Sequence, residues 1–306
     1  LIGDKEDESN IYGTSRNSSK DSSRTTQPDK PKGRGNQMQF PEVKKVAVEY
    51  NIPVYQPVKA KEESFVEQLR QLNPDIILVA AFGQILPKAI LDIPPLGCLN
   101  VHASLLPKYR GAAPIQQVII DGEEKTGVTI MRMDVGLDTG DMILKQEVII
   151  EPTETAGSLH EKLAEVGTVC LLEALKQIED GVAVYEKQQD ELSTYAKPLA
   201  KEMGKLDFTK DAAVLERLIR GLNPWPSAYT SLEDKTLKIW SANVVDLVDD
   251  NKTPVGAIVE KDKNSFTVKT GKGGLVVTEL QLEGKKRMTT GDFLRGYGVE
   301  IGQILE

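Results

Sequence analysis

Cysteine is nearly absent: Cys98 and Cys170 are the two in 306 residues. Each lies among aliphatic neighbours with no second cysteine or histidine at metal-ligand spacing, which excludes a disulfide framework and a thiolate metal centre. Both read as small buried apolar residues. Histidine is equally sparse, with His102 and His160 alone, and no metal is expected. No apolar run reaches the roughly 20 residues that span a bilayer, and residues 1–24 lack the apolar stretch of a secretory signal. A cytoplasmic protein without a membrane partner is the expectation. An excess of positive charge is also missing. Lys plus Arg number 38 against 46 Asp plus Glu, a net charge of −8, which argues against coating nucleic acid by bulk electrostatics. From residue 201 onward the two signs balance at 16 each, so the deficit lies in the first 200 residues.

What is present is ordinary for a globular chain, with 40% hydrophobic and 27% charged residues and a length that accommodates two domains. Residues 75–80 form a continuous apolar run, the pattern of a strand covered on both faces. Further strands are predicted at 97–101 and 127–132, and helices at 40–50, 62–72, 113–120 and 158–179. This alternation predicts an α/β, doubly wound domain with ligands beyond the strand carboxyl ends. Residues 181–200 read as a linker. After a helix at 212–221, short strands at 228–232, 235–245, 255–260, 265–270 and 274–282 predict a small β-barrel. Residues 1–24, rich in Ser, Asp, Lys and Asn, read as disordered.

Asn100 and His102 stand two apart at the end of a predicted strand, so their side chains leave the same face. The apolar run 127–133 then predicts a neighbouring strand that delivers Gly136-Leu137-Asp138-Thr139-Gly140 to the same edge of the sheet. An amide, an imidazole and a carboxylate thereby converge. A lone Asn-x-His at a strand end is usually a cap, and it is the joined segments that favour chemistry. In Ala80 to Pro87 a glycine follows the apolar strand and lets a flat ligand approach the backbone, although a tight strand-to-helix turn has the same composition. Pro28-Asp29-Lys30-Pro31-Lys32-Gly33-Arg34-Gly35 carries three cations suited to phosphates, or is a solvated loop. In Asn223-Pro224-Trp225-Pro226 two prolines lock the chain and Trp225 is expected to bury a large apolar body.

Asn100, His102 and Asp138 in this order, with Ser104-Leu105-Leu106-Pro107 and Gly136-Leu137-Asp138-Thr139-Gly140 around them, resemble the folate-dependent formyltransferases. The Pro28 to Gly35 loop and the stretch Leu222-Asn223-Pro224-Trp225-Pro226-Ser227-Ala228-Tyr229-Thr230 narrow the resemblance to those that act on methionyl-tRNA, from about residue 25 to the C-terminus. The resemblance implies a Rossmann-like formyltransferase domain over residues 25–180, with a mostly parallel sheet, and an OB-like tRNA-binding barrel over 201–306. It implies 10-formyltetrahydrofolate as formyl donor, methionyl initiator tRNA as acceptor, a role in translation initiation, and a monomer. Phe82, Gly83, Gln84, Ile85 and Leu86 would border the folate, with Ser104, Leu105, Leu106 and Pro107 as the wall beside the formyl group. Lys30, Lys32 and Arg34 would enter the acceptor stem, and Lys108 and Arg110 would add cations near the substrate's 3′ end. Lys205, Lys210 and the Lys285-Lys286-Arg287 cluster are weaker candidates for the same partner. The family opens with an apolar strand, a glycine turn, a helix and a second strand. Residues 1–24 show none of these: either the first strand is absent or these residues are not the native start of a working enzyme.

Formyl transfer to an amine needs an unprotonated nucleophile, a stabilised oxyanion and a proton for the leaving nitrogen. His102 can take the amine proton or stabilise the oxyanion, Asn100 can donate to the same oxygen, and Asp138 can hold the imidazole and organise a water relay. Direct attack is expected, because no Cys or Ser has a paired base of its own. One alternative keeps the chemistry and changes the amine to a nucleotide sugar or glycinamide ribonucleotide. Another is an inactive folate- or RNA-binding relic that lacks the first strand.

Overall fold

The computed structural model describes residues 23–32, 37–248 and 252–306. Disorder, with no recognisable first strand, was expected over residues 1–24, and residues 1–22 lie outside the described range. The chain divides into two compact units, one of residues 1–114, 125–149 and 160–197, the other of 115–124, 150–159 and 198–306.

The first unit opens with strands β1 (Arg24–Thr25), β2 (Lys30–Lys32) and β3 (Gln37–Gln39), helix α1 (Glu42–Glu49), β4 (Val54–Tyr55) and α2 (Glu63–Leu72). Then follow β5 (Ile77–Ala80), α3 (Lys88–Leu91), β6 (Cys98–His102), β7 (Arg110–Gly111), α4 (Pro114–Asp121), which from Ile115 on belongs to the second unit, β8 (Lys125–Arg132), β9 (Met142–Ile149), α5 (Ala156–Glu179), which joins the first unit from His160 on, and β10 (Tyr195–Ala196). Apolar residues of α2 recur at helical spacing, so Phe65, Val66 and Leu69 turn to one side. There they pack with Ile77 and Val79 of β5 and with Phe82, Leu86, Ile90 and Cys98. The helix stops at Asn73, which takes the left-handed conformation that asparagine tolerates.

The central sheet runs β5-β6-β8-β9. Its pairing is parallel where a helix crosses over, between β5 and β6, and antiparallel where β8 and β9 form a hairpin. The sequence reading missed β9 because its middle, Lys145, Gln146 and Glu147, is polar and exposed, as suits a strand at the end of the sheet. Strand β8 is antiparallel to β6, with Arg132 opposite Leu99 and Thr129 opposite His102. The loop after β8 therefore leaves beside the start of β6, not at its carboxyl end as expected from sequence. Helix α5 lies close against the face that presents Val101: a Cβ on Gly167 would stand 3.0 Å from that valine and 3.7 Å from Val128. Asn100 and His102 alternate with Val101 and so belong to the other face.

Residues 181–197, read from sequence as linker, are part of the first unit, where Tyr195–Ala196 adds to Arg110–Gly111 as a parallel pair.

The second unit comprises α6 (Ala212–Gly221), β11 (Ala228–Leu232), β12 (Lys235–Val245), β13 (Ile258–Lys261), β14 (Phe266–Lys269), β15 (Gly274–Leu282), β16 (Met288–Thr289) and α7 (Thr290–Gly296). The strands pair antiparallel in the order β11-β12-β15-β14-β13, with β16 on β15. Leu237, Ile239, Val268, Val277 and Leu280 fill the core, and Ala212, Leu215 and Ile219 of α6 close it. Trp225 departs from expectation: it is 53% exposed, and it is its neighbour Asn223 that is buried, donating to the Trp240 carbonyl at 3.2 Å. Among the described residues no helix is long and apolar enough to cross a membrane.

Candidate active site

His102 is 5% exposed, and its Nε2 lies 2.9 Å from the Tyr109 carbonyl oxygen. A carbonyl only accepts, so Nε2 carries the proton and Nδ1 is left for chemistry. Nδ1 faces the Asp138 carboxylate, 3.7 Å from Oδ2. The amide of Asn100 reaches the other oxygen, with Nδ2 3.5 Å from Oδ1. The backbone N–H of Gly111 donates to Asp138 Oδ2 at 2.9 Å. The three residues singled out in the sequence thus meet over one face of β6.

Because the loop after β8 starts at the far end of β6, it must fold back across that face for Asp138 to reach His102. Two features allow this. Asp138 adopts φ +54°, the left-handed region that Asp and Asn visit more readily than most residues. Gly140 packs so tightly that a Cβ there would lie 1.7 Å from the Arg132 carbonyl oxygen, a backbone atom that cannot move aside alone. Gly140→Ala is therefore expected to destabilise the protein by about 2 kcal/mol through overpacking and to displace Asp138. Gly298→Ala, with nothing within 4 Å of its added carbon, should be silent by the same thermal melt.

The Ser104 to Pro107 segment is held from β8. Thr129 Oγ1 donates to the Ser104 carbonyl at 2.7 Å and accepts from the Leu106 N–H at 3.1 Å. Ser104 Oγ donates to the Lys108 carbonyl at 2.7 Å. Each such bond contributes about 1 kcal/mol, and together they fix the wall next to His102. Of this segment Ser104 and Leu106 are buried, while Leu105 and Pro107 are partly exposed.

The loop after β5 leaves from the same end of the sheet as His102, since Ala80 pairs with Val101 in parallel register. Phe82 and Leu86 turn into the core, and Ile85 is 81% exposed. Gly83 has φ +70°, which glycine alone adopts without cost. The Gln84 side chain accepts from the Ala60 N–H at 2.9 Å, and the Phe82 carbonyl accepts from Gln27 Nε2 at 2.9 Å. Gly83 and Ile85 thus remain accessible to a flat ligand, whereas Phe82, Gln84 and Leu86 shape the loop from behind. Near Gln27, burial would raise the Asp29 carboxyl, but hydrogen bonds from Lys44 and Gln56 outweigh it and hold the group below the usual carboxylate range. Burial pushes the Cys98 thiol up to about 12, so it stays an inert core residue.

Among the cations expected to meet tRNA, Lys30 and Lys32 lie in β2, Arg34 falls outside the described residues, and Lys108 is exposed. Arg110 corrects its expectation. It is 2% exposed, and its guanidinium faces Gln188 and Asp190 rather than solvent. Of the weaker candidates, Arg287 is engaged by Glu279, with Nε 2.6 Å from Oε1. Sequence reasoning missed Thr129, Gly111 and Gln188, because their contribution depends on contacts between distant segments that no local pattern reveals.

Both parts of the chain match one class of protein. The formyl transferase family model covers residues 11–175, and the formyl transferase C-terminal domain model covers 198–298. The fold and site are accordingly those of a two-domain formyl transferase. The methionyl-tRNA formyltransferase of Agathobacter rectalis is 58% identical over 91% of this chain and 89% of its own length. That of Clostridioides difficile is 52% identical over 92% and 90%. Among solved structures, the N-formyltransferase from Helicobacter canadensis, in complex with folinic acid and dTDP-3-aminofucose, shares the fold with a TM-score of 0.61 at 18% identity, covering 86% of this chain and 91% of that one. The chain belongs to the methionyl-tRNA formyltransferase family.

Proposed function

We propose that this protein transfers the formyl group of 10-formyltetrahydrofolate to the amino group of methionyl initiator tRNA, in the cytoplasm. The convergence of Asn100, His102 and Asp138 over one strand face supports this reading most directly, together with the close relatives that carry that name. His102 accepts the amine proton at Nδ1, since Nε2 is engaged by the Tyr109 carbonyl. The adjacent Asp138 carboxylate stabilises the resulting imidazolium, and the proton passes on to the folate N10 as its bond to the formyl carbon breaks, leaving tetrahydrofolate and a neutral imidazole. Asn100 supplies a neutral N–H donor for the oxygen on which charge develops. The open backbone at Gly83, with Ile85 beside it, suits the flat pterin of the donor, and Lys30, Lys32 and Arg34 meet the acceptor stem.

The assay is formyl transfer with three acceptors offered separately: methionyl initiator tRNA, an amino-sugar nucleotide and glycinamide ribonucleotide. Transfer to the tRNA alone is the expected result, and formylation of a small amine in its place would refute the assignment. Lys32→Ala combined with Arg34→Ala should raise KM for tRNA by about tenfold and flatten its salt dependence, because phosphate contacts release counterions on binding. An unchanged salt slope would remove the loop from the interface.

A further inference from the structure

We infer that Gln188 is a positioning residue for Asp138, and that buried Arg110 serves to aim it; the inference rests on the proposed formyl transfer. Arg110 donates to Gln188 Oε1 twice, from Nε at 3.0 Å and from Nη2 at 2.8 Å. A guanidinium only donates, so these bonds fix which end of the Gln188 amide is oxygen. The Nε2 end is thereby turned toward two backbone carbonyls, which only accept: Asp138 and Gly140, each at 2.8 Å. The amide thus clips together the two peptide units on which the fold-back of the catalytic loop depends.

The clip is itself anchored. Arg110 Nη2 reaches Asp190 Oδ1 at 2.7 Å, and Tyr195–Ala196 pairs with Arg110–Gly111. Gly111 then donates its N–H to the Asp138 carboxylate. The segment that carries Gln188 therefore holds Asp138 twice, through its main-chain carbonyl by way of the glutamine and through its side chain by way of the β7 backbone. None of these groups touches the position where His102 Nδ1 acts, so their effect is on geometry alone.

Two variants separate positioning from simple support. Gln188→Glu keeps an acceptor for Arg110 but loses both donations to the loop carbonyls. Arg110→Lys keeps the charge but cannot donate through two nitrogens in a fixed fork. Gln188→Glu should melt a few degrees lower yet stay folded at the assay temperature, hold KM for both substrates within about twofold, and lose kcat by roughly 10- to 100-fold, the scale of a small misplacement of a catalytic group. Arg110→Lys should lose kcat similarly. In a crystal structure of Gln188→Glu, Asp138 should no longer accept from Gly111. Full kcat in Gln188→Glu would mean that Gln188 only seats Arg110, overturning the inference. If the unchanged protein formylates no tRNA, the functional reading fails by itself. The crystal structure then decides separately, and an unmoved Asp138 in Gln188→Glu overturns the positioning role.

Discussion

His102→Ala should lower kcat for formyl transfer by about three orders of magnitude while leaving the protein folded, since general acid–base and electrostatic contributions of one group are each worth roughly 10²- to 10⁴-fold. Nδ1 is placed to take a proton, because Nε2 already donates to Tyr109 and a carboxylate waits 3.7 Å away to stabilise the charge. Removing the ring leaves a small void. The Tyr109 carbonyl is not wholly abandoned, because Ser104 Oγ lies 3.5 Å from it. The stability loss should therefore stay at about 1–2 kcal/mol, well short of global unfolding. Steady-state kinetics and a thermal melt on the same preparation decide the point. A variant that retains a tenth of its kcat would show that the proton goes elsewhere.

Asp138→Asn should cost about 10²- to 10³-fold in kcat with an unchanged melting temperature. Asparagine tolerates the left-handed backbone at this position, and its Oδ1 can still accept from Gly111. What changes is the group opposite His102. Gly111 and His102 both face Oδ2, so the asparagine oxygen that accepts from Gly111 also lies opposite Nδ1, and no negative charge remains there to stabilise the imidazolium. Asp138→Ala should be inactive and also less stable by about 1–2 kcal/mol, since it strands the Gly111 N–H and strains an alanine at positive φ. An active Asp138→Asn would argue that Asp138 is a structural anchor and no more, whereas equal melting of the two variants would remove the anchoring role.

The meeting of Asn100, His102 and Asp138 was partly legible in the sequence, because two of the three sit at period-two spacing on a strand, which dictates a shared face whatever surrounds them. The longer helices and the apolar strands were legible for a similar reason, since their burial imposes a periodic pattern, whereas α3 and α7 are too short to show one. What escaped was direction. Apolar composition marks β8 as a strand but carries nothing about which way it runs, so the fold-back of the Asp138 loop emerged only from the pairing of Leu99 with Arg132. Polar strands were missed as well, since β9 exposes the middle of its length and has no apolar run to announce it. Arg110 misled for a plain reason: an arginine in a loop is usually solvated, and its burial depends on Gln188 and Asp190, about eighty residues further along.

The pairing of β10 with β7 bears on how homologous enzymes can be recombined. A chimaera joined near residue 180 would take Arg110 from one parent and Gln188 from the other, splitting a hydrogen-bonded set between two evolutionary histories. A crossover placed after Lys197 inherits the set whole. The sequence between those two breakpoints has the look of a tether, yet in any such hybrid it would decide whether the Asp138 carboxylate arrives in register.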